Sequence, residues 1–472
     1  MTFVSIEFLV LFLFTALIFY RCNGNKPKQI LLLGVSYIFY AWWDVRFLLL
    51  LIIQTYICYF LAAKIQQESR NSIRKRYCIV GVIISLLILG FFKYYNFFME
   101  TLKNVFQLKR TEVIYIILPI GISFYTFQAI SYLIDVYRMK IEAREEYIKV
   151  ALYISFFPQL VAGPIVRAED FLPQCDEEHW IKKKNVEVAL QIFLFGLFKK
   201  VVIADRLAVC VDSIFAVPNA YDTVSVIMAV FSYSIQIYCD FSGYSDMAIA
   251  IARFFGYDLC KNFDVPYISR NPSEFWKRWH ISLSSWLLDY LYIPLGGNRK
   301  GRCRTYINLI FTMILGGLWH GASWHFVIWG GLHGIALAVH KLFREWKSKR
   351  CHIFQNKWVS YMSSTISMIM TYCFVTICWI FFRTQDLTTA YMILKRMFHL
   401  YNGIHYIYIF SVVYGLLVFG VHMIVLKRNS GNGYYPIIDL SKFRNKFLLC
   451  LLIWIIVIFS YDGDNAFIYF QF

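Results

Sequence analysis

Two of the ten histidines in this 472-residue sequence stand where an imidazole could do chemistry. His320 lies in Leu315-Gly316-Gly317-Leu318-Trp319-His320-Gly321-Ala322-Ser323-Trp324, at the end of a nearly chargeless apolar run. An imidazole titrates close to working pH, so one placed there could take a proton from an attacking hydroxyl. It could equally hydrogen-bond across packed helices. Gly316, Gly317, Gly321 and Ala322 leave space for close helix packing or for a substrate chain. His280 follows Glu274, Lys277 and Arg278 in an aromatic segment. There it could orient a substrate, or polarise an acyl carbonyl by donating to developing negative charge, or simply anchor the chain at a membrane interface.

Asp240 and Asp246 frame Asp240-Phe241-Ser242-Gly243-Tyr244-Ser245-Asp246 within an apolar run. Carboxylates at membrane depth are costly, so each is a candidate for a proton path or for fixing a histidine tautomer. They could also pair with Arg253, Arg270 or Arg278 as structural locks, and the lock is the favoured reading. Packing or a cavity lining accounts for His325 and His333 on the following span. A G-x-S-x-G elbow, a P-loop, a dinucleotide glycine pattern and H-E-x-x-H are all absent, which speaks against serine hydrolysis and nucleotide-driven transport.

The elements that must position these residues are membrane helices. With 59% hydrophobic and 16% charged residues, the chain has more apolar surface than one globular core could bury. Apolar stretches recur near residues 3–20, 29–43, 46–63, 77–98, 113–136, 186–216, 223–256, 304–319, 324–340, 358–382, 405–426 and 446–461. Lys199, Lys200, Asp205 and Arg206 lie inside the sixth, which is therefore expected to be broken or interfacial. Two aromatic segments are too polar to span. Phe156–Phe171, interrupted by Pro158, Gly163 and Pro164, reads as re-entrant or interfacial. Pro272–Gly297, with Trp276, Trp279 and Trp286, reads as a helix at headgroup level or one lining a polar cavity.

The first stretch has no basic n-region and no cleavage site, so it is expected to be a retained span. A net charge of +18 sits mostly between apolar stretches, which points to an anionic leaflet and away from nucleic acid. Lys64–Arg76 and Lys341–Arg350 each carry five basic residues against one glutamate, placing both loops in the cytoplasm and both termini outside. Twelve cysteines without C-x-x-C or zinc spacing read as packing residues, and no metal is expected. No repeat or soluble appendage is visible, so residues 1–472 read as a single membrane domain.

Four stretches in order closely resemble the membrane-bound O-acyltransferase family: Tyr238–Met247, Phe275–Ser284, Asp289–Asn298 and Gly316–Trp324. The likeness is closest to its bacterial alginate O-acetyltransferase branch, which Phe157–Pro164 and Phe467–Phe472 also resemble. The resemblance implies an all-α polytopic fold of about eleven helices with re-entrant elements around a central tunnel. It implies that His320 is the catalytic residue and His280 the second polar residue of the site. Trp319, Trp279, Trp276, Ser323, Asp240 and Asp246 fall in these motifs and are expected to line the tunnel or support the histidines.

The activity so implied is acetyl transfer from a cytoplasmic thioester, acetyl-CoA, with His320 as general base and no tightly bound cofactor. An extracytoplasmic partner protein would set the acetyl group on a polysaccharide, in a bacterial cytoplasmic membrane. D-alanyl transfer from a carrier protein to teichoic acid and peptidoglycan O-acetylation are the neighbouring alternatives. A non-catalytic transporter or flippase is the reading from another class; the lack of related halves counts against it.

Overall fold

The computed structural model describes residues 1–107, 115–350, 357–428, 437–461 and 467–468. Among the described residues helices dominate and no strand is formed, and five helices are long and apolar enough to cross a membrane: Val45–Gln67, Asn71–Phe106, Thr223–Phe254, Trp324–Lys347 and Met362–Arg383. The expected stretches fall on helices, with Ile6–Arg21 and Asn25–Ala41 among the earliest. Residues 113–114 of the expected span 113–136 lie outside the described residues, as do 469–472 of the carboxyl-terminal motif. The chain divides into two compact units, Met1–Leu197 with Tyr244–Cys260, and Phe198–Gly243 with Lys261–Phe472.

In the first unit, Val45–Gln67, Asn71–Leu89 and Ile122–Tyr137 pack against one another. Gly81 permits this, since a Cβ there would stand 2.6 Å from Leu133 Cδ1. Phe156–Phe171 is not a surface element: residues 156–168 are buried, in short helical turns joined by irregular backbone. Such backbone survives away from water only when its polar groups find partners. Ser36 Oγ accepts from Phe157 N–H at 3.1 Å, and the Tyr153 hydroxyl donates to Val166 O at 3.1 Å. At Gly121, with φ +76°, a Cβ would stand 2.6 Å from Leu160 O, so the chain there needs glycine.

In the second unit, the expected break in 186–216 is a π-helical stretch, Phe198–Ala204, leading into the helix Asp205–Ala216. Widened turns of this kind often mark functional positions. A second π-helical stretch, Leu288–Tyr292, follows Ile281–Leu287. Arg302–His320 and Trp324–Arg350 form a helical hairpin, and Lys357–Arg383 packs on its second arm. The turn before Thr223–Phe254 is latched to the segment before Ile409–Arg428: Ile404 N–H donates to Ala220 O at 2.8 Å, and Asp222 N–H to Ile404 O at 3.1 Å. The described cysteines are free thiols.

Candidate functional site

His320 closes the helix Arg302–His320. Gly321 turns to extended backbone, and its N–H donates to Gly317 O at 3.3 Å. Ser323 N–H then folds back onto Gly321 O at 3.0 Å, so three residues join the two helices of the hairpin. The arms approach closely because of their glycines. A Cβ on Gly317 would stand 2.2 Å from Phe326 O, one on Gly330 2.2 Å from Met313 O, and one on Gly334 2.7 Å from Ile310 Cα. Gly330-x-x-x-Gly334 is thus a small-residue contact of the membrane type, which the sequence reading passed over. Gly317 and Gly321 serve packing as expected, whereas Gly316 would meet only Leu287 Cδ1, at 3.1 Å.

The His320 ring is buried within aromatic groups, its centroid 5.0 Å from Trp319, 5.1 Å from Trp329 and 5.3 Å from Phe382. His280 stands beside it, with ring centroids 6.1 Å apart. The two histidines, separated by 40 positions in sequence, share one interior space with Trp319, which is 5.8 Å from His280. Among packed rings of low polarity a hydrogen bond to either imidazole is stronger than it would be in water.

His280 owes its position to a helix break. Asn271 accepts from Glu274 N–H at 2.9 Å to start Pro272–Arg278, which ends at Trp279, and Ile281–Leu287 begins immediately after His280. His280 itself adopts a left-handed backbone with φ +44°. That conformation is costly for a residue with a Cβ and concentrates at functional positions. Its Nδ1 lies 3.1 Å from Asn262 Oδ1, and the edge of Phe241 packs 4.8 Å away.

Trp279 is interior, stacked on Phe275 at 5.6 Å and packed on Trp379 at 4.8 Å. Trp276 donates from Nε1 to Nδ1 of His333 at 3.3 Å. An indole N–H only donates, so His333 carries its proton on Nε2. Trp286 and Tyr290 are buried too. From this segment Ser273, Trp276, Leu287 and Tyr292 line a cavity of about 240 Å³. His340, Lys341 and Arg344 lie on the same lining, giving the cavity a basic side.

Asp240 is a lock, but its partner is not among the arginines expected from sequence. Lys200 Nζ lies 2.6 Å from Asp240 Oδ1 and 2.8 Å from Asp205 Oδ1. Arg253 pairs with Asp258, and Arg278 with Glu274 and Asp264. The cause is local: the π-helical stretch carries Lys200 inward, whereas those arginines have carboxylates close in sequence. Asp240 Oδ2 also accepts from Ile468 N–H at 2.8 Å. Asp246 belongs to the other compact unit, where it is buried. Ser323 lies in the hairpin turn with its hydroxyl shut off from solvent. His325 and His333 are packing residues, His325 Nδ1 lying 2.9 Å from Phe381 O. Asn262, Trp329 and Phe382 complete the surroundings of the two histidines without having been marked by sequence, since neither an isolated asparagine nor two aromatic residues on long helices signal a role.

The family profile described as membrane-bound O-acyltransferase matches residues 143–382. The chain is 42% identical over 402 residues to a probable alginate O-acetylase of Pseudomonas aeruginosa, covering 84% of this chain and 75% of that protein. It is 40% identical over 428 residues to a peptidoglycan O-acetyltransferase of Helicobacter pylori, covering 85% and 79%. A teichoic acid D-alanyltransferase of Bacillus subtilis is similar at 25% identity over 273 residues, covering 54% and 66%. The matched residues include both histidines, and so this all-helical, multi-pass membrane chain belongs to the membrane-bound O-acyltransferase family and is an acyltransferase.

Proposed function

We propose that this protein moves an acetyl group from a cytoplasmic thioester, acetyl-CoA, through the membrane for O-acetylation of an extracytoplasmic polysaccharide. His320 serves as general base toward the accepting hydroxyl, with His280 as the second polar group of the site. The observation that carries this reading is the pairing of the two imidazoles, 6.1 Å apart, inside an aromatic enclosure. Acetyl rather than D-alanyl transfer is favoured by similarity, at 40 to 42% identity to proteins named for O-acetylation and 25 to 30% to those named for D-alanyl transfer.

The cavity bearing His340, Lys341 and Arg344 supports a donor entrance. The basic residues from Lys341 onward favour a cytoplasmic position for that side, where coenzyme A would bring its phosphates. On this topology both termini are extracytoplasmic, and a partner protein outside the membrane passes the acetyl group to a glycan too bulky to enter. Trp276, Trp279, Trp319 and Ser323 shape the space around the histidines, while Asp240 locks its helix to Lys200. The peptidoglycan acceptor remains a second reading because the Helicobacter pylori relative is similar over as much of the chain.

The test is acetyl transfer from labelled acetyl-CoA in proteoliposomes, read by mass spectrometry. Replacing His320 by Ala should leave an inserted, folded protein with transfer reduced by about 10² to 10⁴-fold, the usual contribution of a general base. Undiminished transfer in that variant would reject the assignment. Ester acetate on cell-wall peptidoglycan, lost on deletion of the protein, would select the second reading.

A further inference from the structure

The surroundings of His280 fix which of its nitrogens carries the proton. Asn262 is buried and grips three successive residues. Its backbone oxygen accepts from Ile281 N–H at 2.9 Å, and its side-chain Oδ1 is approached by Ser282 N at 3.3 Å, Ser282 Oγ at 2.9 Å and His280 Nδ1 at 3.1 Å. The orientation of an asparagine amide is often ambiguous, because its oxygen and nitrogen look alike. Here the backbone resolves it. An amide N–H can only donate, so the Asn262 atom facing Ser282 N must be the oxygen. A carbonyl oxygen only accepts, and so His280 Nδ1 must be the donor. A neutral imidazole has one ring proton, which leaves the lone pair on Nε2.

We infer that Asn262 is a positioning residue that holds His280 as the neutral Nδ1–H tautomer, so that Nε2 offers the site a hydrogen-bond acceptor and no donor. This rests on the reading of His320 and His280 as the site of acyl transfer, and it decides between two roles for His280. A ring whose inner nitrogen carries a lone pair cannot donate to a developing oxyanion from that side. It can accept from a donor group of the substrate other than the reacting hydroxyl, whose single proton goes to His320. The grip explains the backbone as well: His280 sits at φ +44°, and the bonds to Ile281 and Ser282 directly after it hold the chain in that left-handed turn.

The proposal is tested on the full-length protein, by spectroscopy and by kinetics. In protein carrying ¹⁵N-labelled histidine, with His280 assigned by its disappearance in His280→Asn, the ring should show a protonated Nδ1 and an unprotonated Nε2. The opposite tautomer would overturn the proposal whether or not His280 matters for activity. In Asn262→Ala, kcat should fall on the order of tenfold to a hundredfold while KM for acetyl-CoA stays within about twofold, the signature of a misoriented group rather than of a lost donor site. An unchanged kcat would overturn it, as would a parallel loss of donor binding. Should Asn262→Ala fail to fold, the tautomer measurement on the unsubstituted protein still decides. Full activity in His280→Asn would instead refute the catalytic reading of His280 and leave the tautomer assignment standing.

Discussion

Lys200 and Asp240 form an interior ion pair, with Nζ 2.6 Å from Oδ1 and Asp205 sharing the same ammonium at 2.8 Å. Two carboxylates on one lysine, all three side chains nearly shielded from solvent, are stable only as a set. Replacing Lys200 by Met should cost about 3–5 kcal/mol, because it leaves buried charge without compensation. Adding Asp240→Asn to that variant should restore part of the loss. Thermal unfolding of the detergent-purified protein checks this; a Lys200→Met variant as stable as the parent would refute it.

The hairpin that presents His320 depends on glycines at backbone contacts. A methyl group on Gly330 would meet Met313 O at 2.2 Å, and backbone cannot swing aside as a side-chain tip can. Gly330→Ala should therefore cost about 1–3 kcal/mol and lower transfer activity, since the arm that carries the histidine must shift. Gly331→Ala, whose added methyl would meet only Ile314 Cγ1 at 3.9 Å, serves as the control and should behave as the parent. Equal behaviour of the two variants in unfolding and activity assays would contradict the packing argument.

At the cavity, reversing charge tests the donor entrance. Lys341→Glu combined with Arg344→Glu should raise KM for acetyl-CoA on the order of tenfold, as expected from two partly exposed ionic contacts, and leave kcat nearly unchanged. Raising salt should narrow the difference between variant and parent, because exposed charges are screened. A KM that ignores both substitutions would remove this cavity from the donor path.

The latch at Asp222 should respond to acid. Hydrogen bonds from Ser225, followed in size by that from His405, hold the Asp222 carboxyl down at about 2 against an ordinary value of 3.8. The folded form therefore binds this proton less readily than the unfolded chain does. The stabilisation is full above about pH 4 and is lost as pH falls toward 2. Hydrogen exchange at Thr223 and Ile404 should accelerate across that window in the parent, while Asp222→Asn, already weakened at neutral pH, should show a flatter dependence. Identical profiles would show that the carboxylate does not hold the latch.

Much of this fold was legible because lipid imposes a simple rule: apolar runs of sufficient length become helices. The ends of Thr223–Phe254 and Arg302–His320 follow the expected stretches to within two residues. The break in 186–216 was foreshadowed by charge inside an apolar run, but its π-helical form was not, and so the partner of Asp240 was misassigned to arginines. Sequence distance misled there, because Lys200 is 40 positions away and enters through a local widening of the helix. His320 and His280 were marked by residue type, glycine surroundings and motif order. Asn262 was not. An asparagine in a loop carries no periodic signal, and its value comes from three donors that only the folded chain brings together.

The amide of Ile468 that rests on Asp240 lies 228 residues downstream of it. A ribosome making this chain releases Asp240 and Lys200 before that amide exists, so the bond to Oδ2 forms only after synthesis has reached residue 468. A cut that removes residue 468 should accordingly disturb the packing around Asp240 and Lys200.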